Sequence, residues 1–441
     1  MKFLVVTANF APRGASPAVR TVHFVKYLCQ LGHEVQVLTY ADDMLTLFSA
    51  EDLALNEKVP ESVCITRIPG GPLRRYFFKG GKGARGGAIA AKNRYKRNPL
   101  ISFLVPDPHV DSVRGFVRAG KSLVARYEPE VILTHGYPFS MHWVGAMLKR
   151  RFPAVRWVAD YGDPWVSTPV SELPRPAWRR WLDRRLESRW LRHADLVTVT
   201  TEPTKSLYER EFPFLRGKVD VIAMGYDPDD LREVAPLRRP PELEKKLLLV
   251  HTGRIYPQAR DPEPFVRAME SLAAESPSLF DEIKVVLVGE GDDHVKALVQ
   301  GSIAASAFVF VPWVPVAESI AWMKTADWLL LFGNKGGVQV PGKAYQYVGI
   351  GRPIFMTALT KDDPTADVVR LAGESRIVEN TSECLCVEIR RLLVERDFTG
   401  SSKAVDEGSD KKSAFAWPSL MERLAGAVRP LVASSATLGE G

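Results

Sequence analysis

Four stretches of this chain carry residues whose types and spacing suit phosphate binding or proton handling. The first is Asn334 to Thr357, NKGGVQVPGKAYQYVGIGRPIFMT. It links two very apolar runs, 327–332 and 353–356, through a loop containing Gly336 and Gly337. Pro341 suits the start of a helix, where its missing N–H costs nothing. Gly349-Ile350-Gly351 suits its end. A strand, a glycine loop and a helix N-terminus offer unpaired N–H groups and the positive end of the helix dipole to an anion. Gly342 stands at that terminus and Lys343 one step inside it. The second stretch is His251-Thr252-Gly253-Arg254, with Arg260 six residues further on. An arginine beside a glycine at a strand end suits a planar fork on a phosphate. In the third, the apolar run 131–134 leads straight into His135-Gly136-Tyr137-Pro138. The fourth is Ala159-Asp160-Tyr161-Gly162-Asp163-Pro164-Trp165, a strand followed by a polar loop. Asp163 there reads either as a functional carboxylate or as a cap or brace of the loop.

The elements around these stretches follow one pattern. Residues 3–7 (FLVVT) are an apolar run, followed by a Gly/Pro/Ser loop with Gly14, a helix over 18–31, Gly32, and a second strand over 33–39. Strand, helix and strand in this order make a βαβ unit and a parallel sheet. Ligands of such sheets bind outside the carboxyl ends of the strands, where all four stretches fall. The polar, proline-rich segment 227–246 reads as an interdomain linker. Alternation then restarts with strands near 247–250, 284–288 and 308–311 and a helix over 316–325. The expected fold class is α/β, with two doubly wound parallel-sheet domains at 1–226 and 247–414. A last amphipathic helix over 415–431 packs back on the first domain, and 432–441 is expected to be a disordered tail.

Bulk properties narrow the partners. At 441 residues the chain is long for one domain. No apolar run approaches bilayer length. The opening MKFLVV is interrupted by Asn9, Pro12 and Arg13, so it reads as a buried strand and not as a signal peptide. Cys29, Cys64, Cys384 and Cys386 lack metal-type spacing and point to thiols in a reducing cytoplasm. The formal charge of +7 implies an anionic partner without saying which. Between Glu61 and Asp107 basic residues interleave with Tyr76, Phe77, Phe78 and Tyr95 and no acid occurs. This is a solvated loop or a patch for anionic lipid or an anionic acceptor; no nucleic-acid-binding motif accompanies it. Residues 176–193 form a basic amphipathic helix with Trp178, Trp181, Leu182, Leu186 and Trp190 near one face, either packed on the domain or lying in a membrane interface.

Taken together, the motifs resemble the GT-B glycosyltransferases, and within them the retaining family GT4. The opening FLVVTANFAPRGASPAVRTVHFVKYLCQLGHEVQVLT looks like the family's strand, glycine loop, helix and GHEV turn. ADYGDPW resembles the D-x-R-D-P-W segment of a branch that builds bacterial surface polysaccharides. HTGRIYPQARDPEPFVRAMESL is similar to the start of the donor domain, and VPGKAYQYVGIGRPIF to VPxKxxEYxxxGxP. The resemblance implies two Rossmann-like domains facing across a cleft. It implies transfer of a sugar from a nucleotide-sugar donor, a UDP-sugar, to a saccharide or lipid-linked acceptor in cell-surface polysaccharide or glycoconjugate biosynthesis. No cofactor and no metal are implied, and the place of action is the cytoplasm, with peripheral contact at the inner membrane face. Arg254 and Arg260 would neutralise the leaving diphosphate, although the family usually has lysine at the second position. Gly14, Gly253, Gly342 and Lys343 would approach the donor phosphates. The backbone of Pro312-Trp313-Val314 would meet the base, and His135 the sugar. Asp163 and Trp165 are acceptor-side candidates. One departure stands out: the family's two glutamates, eight residues apart, fall on Val338 and Gln346. Gln346 would bond the ribose more weakly than a carboxylate. The other readings are a non-catalytic nucleotide-sugar-binding subunit and a GT-B epimerase of UDP-sugars; the epimerase needs a carboxylate pair that the sequence does not offer.

Overall fold

A computed structural model describes residues 1–41, 52–72, 104–166, 176–256, 259–289, 293–399 and 410–436. The basic residues 74–97 and the tail from 437 lie outside the described residues. The chain divides into two compact units, Met1–Ala223 with Trp417–Gly441, and Met224–Ala416.

The first unit is built on a seven-stranded sheet of β1 (Lys2–Val6), β2 (Glu34–Tyr40), β3 (Cys64–Ile68), β4 (Val131–Gly136), β5 (Arg156–Tyr161), β6 (Leu196–Val199) and β7 (Val219–Val221). Its spatial order is β3-β2-β1-β4-β5-β6-β7, parallel at every pairing. The second unit holds β8 (Leu247–Thr252), β9 (Ile283–Val288), β10 (Phe308–Val311), β11 (Trp328–Phe332), β12 (Ile354–Ala358) and β13 (Ser375–Glu379). Their order, β10-β9-β8-β11-β12-β13, is also wholly parallel. Helices cover both faces of such sheets, so the strands read as unbroken apolar runs such as Leu247-Leu248-Leu249-Val250, all buried. In each sheet the order reverses once, between β1 and β4 and between β8 and β11. A crevice opens at the carboxyl ends of the strands at each reversal.

Three expectations need correction. The segment 227–246 is part of the second unit. Asp227 caps a helix over Pro228–Glu233 through a side-chain bond to the Asp229 N–H. Lys324 Nζ donates to the Leu231 and Val234 carbonyls, Thr325 Oγ1 accepts from Leu237 N at 2.8 Å, and Arg239 pairs with Asp327 at 2.7 Å. Composition marked a linker because most of these bonds use backbone atoms, which composition does not reveal. The last helix runs over Trp417–Ala436, past Leu431, even though Pro430 removes one helical N–H. Trp417 anchors it by stacking on His23, with ring centroids 5.3 Å apart.

The third correction concerns the basic helix, Ala177–Leu191. Its buried face carries Arg179, Asp183, Glu187 and Trp190, while Trp178 and Trp181 are more than half exposed. Polar pairing decides the face. Arg179 meets Asp183 at 2.8 Å, one turn on, and donates to the Leu104 and Pro106 carbonyls. Glu187 accepts from Tyr208 Oη at 2.8 Å. Burial, opposed by that bond, pushes the Glu187 carboxyl up to about 8. The unfolded chain therefore releases a proton between about pH 4.5 and 8 that the folded chain keeps. Stability is fullest below this window and falls as pH rises through it, by a few kcal/mol at about 1.4 kcal/mol per pH unit. Glu187→Gln removes the dependence. Its urea midpoint relative to wild type is expected to rise from pH 5 to pH 8.5; an unchanged or falling difference would contradict this assignment.

Candidate functional site

Two clusters stand at the sheet reversals, one in each unit. In the second unit, β8 ends with His251 and Thr252, and Gly253 follows in the left-handed region at φ 81°. Glycine tolerates that conformation at no steric cost. It also leaves room: an added Cβ would lie 3.3 Å from Lys343 Nζ. Lys343 is the second residue of the helix Gly342–Ile350, which ends at Gly351, φ 74°. Pro341 occupies its N-cap, and the first turn carries no acidic residue to offset the dipole.

Lys343 Nζ lies 2.9 Å from His251 Nε2. Burial, reinforced by the charge of Arg260, pushes the lysine pKa well below its ordinary value. Arg260 is itself buried; its Nε reaches Asn334 Oδ1 at 3.4 Å and its Nη1 the Arg254 carbonyl at 3.1 Å. Burial pushes its pKa down too. Among the described residues neither cation has a carboxylate within ion-pair distance, and no hydrogen bond uses Arg260 Nη2. Arg254 is exposed, with its guanidinium 5.2 Å from the Tyr256 ring centroid. Asn334, just after β11, is fixed by its N–H to Asp363 at 2.8 Å and its amide to the Gln339 carbonyl at 3.0 Å. Gly253, Arg254, Arg260, Gly342 and Lys343 thus converge on the ends of β8 and β11. Gln346 is half-buried one turn along the same helix. Pro312, Trp313 and Val314 lie apart from this cluster in the sheet, following the edge strand β10, with Pro312 and Trp313 exposed.

In the first unit, Gly14 lies in the loop before the helix Ser16–Gln30, after the end of β1. His135 is the penultimate residue of β4 and is buried. Its Nδ1 is 2.5 Å from Asp160 Oδ2 on neighbouring β5, where His135 and Asp160 are register partners. Asp160 is fully buried and receives more. Arg20 donates through Nε at 3.0 Å and Nη2 at 2.8 Å, and Thr198 Oγ1 donates at 2.6 Å. Burial alone would raise the carboxyl pKa. The Arg20 charge and the bonds from His135 and Arg20 outweigh it and hold Asp160 well below the usual carboxylate range. An ionised carboxylate only accepts, so His135 keeps a proton on Nδ1 and presents Nε2 as its other face. Nearby His142 is pushed down to about 3, chiefly by burial, and stays neutral.

The acceptor-side candidates fare differently. Asp163 is exposed in the loop after β5. Trp165 is fully buried, stacked between Phe139 and Trp190 at 5.2 Å from each, so it is a core residue and not a ligand contact. Sequence reading did not single out Arg20, Thr198, His251 or Tyr347. A signal existed for Arg20: it falls among Ala18, Thr21, Val22 and Phe24 on the buried face of its helix, and a charge there demands a partner. Nothing local marks Thr198 or Tyr347.

Residues 16–225 match the family model of a glycosyl transferase 4-like domain. The whole chain is similar in structure to a glycosyltransferase from Rickettsia africae, at 12% identity and TM-score 0.62 over 98% of each chain. It is similar to sucrose-phosphate synthase from Thermosynechococcus elongatus, at 16% and 0.63 over 98% of this chain and 100% of that one. Anabaena HepE, crystallised with UDP and glucose, is similar at 13% and 0.63 over 98% and 100%. No curated protein matches the sequence. The two parallel sheets and these likenesses define the fold as GT-B. The match to the glycosyl transferase 4-like domain covers most of the first unit and agrees with the motif resemblance there. No helix among the described residues is long and apolar enough to cross a membrane.

Proposed function

We propose that this chain transfers a glycosyl group from a UDP-sugar to a saccharide or lipid-linked acceptor, with retention of anomeric configuration. One observation carries the donor side: Arg260 and Lys343 are basic groups with no carboxylate partner among the described residues, gathered at the β8/β11 reversal beside a left-handed glycine and a helix N-terminus. A buried, unpaired charge is costly. An anion bound at this place would offset the cost, and a nucleoside diphosphate matches it in charge and in position at a reversal of strand order. When the bond between the sugar carbon and the diphosphate oxygen breaks, the electron pair goes to that oxygen. Arg254, Arg260, Lys343 and the amides near Gly342 stabilise the charge that develops there. Protein cations take the part that a divalent metal has in other transferases. The chain resembles a retaining family and offers no matched carboxylate nucleophile among the described residues, which favours attack on the face the diphosphate leaves. His135, its Nδ1–H given to Asp160, orients a sugar hydroxyl through Nε2.

Incubation with a panel of nucleotide sugars and saccharide or lipid-linked acceptors, followed by assay of released UDP or GDP, tests the reading. Release is expected with a UDP-sugar and is expected to be lost in Arg254→Ala. Tight nucleotide binding without release under any acceptor would indicate a binding subunit. Interconversion of donor sugars without transfer would indicate an epimerase.

A further inference from the structure

His251 is buried within β8, and both ring nitrogens are committed. Nδ1 lies 2.9 Å from the Leu330 carbonyl of β11, and Nε2 lies 2.9 Å from Lys343 Nζ. A carbonyl only accepts, so the proton is on Nδ1, and Nε2 turns its lone pair to the lysine. Burial and the charges of Lys343 and Arg260 keep the ring neutral. Tyr347 makes a second tie one turn along the helix. Its Oη accepts the Thr252 N–H at 2.9 Å and reaches the same Leu330 carbonyl at 3.4 Å. The helix N-terminus is thereby pinned to the ends of two adjacent strands at residues 343 and 347.

We propose that His251 is a positioning residue, whose Nε2 lone pair holds the Lys343 amino group over Gly253, where it meets the diphosphate of the donor. The inference rests on the nucleotide-sugar reading. Two of the three lysine N–H directions remain for a ligand, and Gly253 leaves the space between them and the backbone. A proton linkage follows. Lys343 is faced by His251 from β8 and by Arg260 from the loop after β8; Tyr256, Tyr347 and Asp363 act on Arg260. Burial and like charge lower the basicity of the lysine, and a bound diphosphate restores it, so nucleotide binding takes up a proton.

UDP is the probe. Titration calorimetry of the full chain in two buffers of different ionisation enthalpy measures affinity and proton uptake together. Wild type is expected to bind UDP with net proton uptake near pH 8. His251→Leu, which removes the acceptor but leaves the burial and the Arg260 charge in place, is expected to weaken UDP about tenfold while proton uptake is retained. His251→Gln, whose Oε1 stands near the place of Nε2, is expected to stay within about threefold of wild type. In a Lys343→Met background, His251→Leu is expected to add little, because both changes remove one interaction. Equal losses from His251→Leu with and without Lys343, or UDP binding indifferent to His251, would overturn the inference alone. A wild type that binds neither UDP nor GDP would overturn the donor reading and this inference with it.

Discussion

Arg260→Ala is expected to lower kcat/KM for UDP-sugar turnover by about 10²–10³, the usual cost of removing one charge-stabilising donor from a transition state. The effect should fall mainly on kcat, because the charge that Arg260 faces grows as the diphosphate leaves. The geometry explains the size. Nε and Nη1 are held by Asn334 and the Arg254 carbonyl, which leaves Nη2 fixed for a ligand oxygen without reorganisation. The second cation, half-buried Lys343, cannot take over the role, since His251 holds it in its own place. Arg260→Lys separates charge from shape. Lysine keeps the positive charge, and the resembled family usually has lysine here, so about a tenth or more of the wild-type activity should survive. Steady-state release of UDP, measured for the three proteins, checks this. Equal activity of Arg260→Ala and wild type would remove Arg260 from the mechanism.

Asp160→Asn is expected to destabilise the first unit by about 3–5 kcal/mol, the range for breaking a buried ion pair by removing one partner. Arg20 would be left as a charge at 1% exposure without its carboxylate, with the Ile222 and Ala223 carbonyls among its other partners. The double variant Arg20→Met with Asp160→Asn should recover much of this stability, because an apolar side chain over Phe24 leaves no charge uncompensated. It should not recover turnover, since His135 would have lost the carboxylate that orients it. The pH dependence has a definite sign. The folded carboxyl is depressed below its unfolded value, so its contribution is complete above about pH 4 and is lost as pH falls further. Urea midpoints of the three proteins at pH 7 and about pH 2 measure all of this. A loss below 1 kcal/mol for Asp160→Asn at pH 7 would mean that Arg20 has found another partner.

The residues that sequence reading selected on the donor side were legible for a local reason. A glycine after an apolar strand, an arginine next to it, and a proline opening a helix each signal backbone geometry within a few residues. Gly253 and Gly342 take up those positions, and Lys343 follows one step inside. Trp165 shows the limit. An aromatic residue in a strand-end loop reads as a ligand contact, yet Phe139 and Trp190, one from either side in sequence, enclose it. Segment 227–246 shows it again: proline and charge described its composition, but Lys324 and Arg239 decided its attachment.

By itself, then, the sequence determined two parallel sheets, the loops at their carboxyl ends and the cations set near one of them, since apolar runs, glycines and prolines act on their own neighbourhood. Only the tertiary structure decided which side chains share a charge or a proton. Asp160 meets Arg20 across 140 residues and Lys343 meets His251 across 92. Such pairs depend on which strands lie side by side, and strand order is set by how the whole sheet packs, which no local pattern of apolar residues encodes.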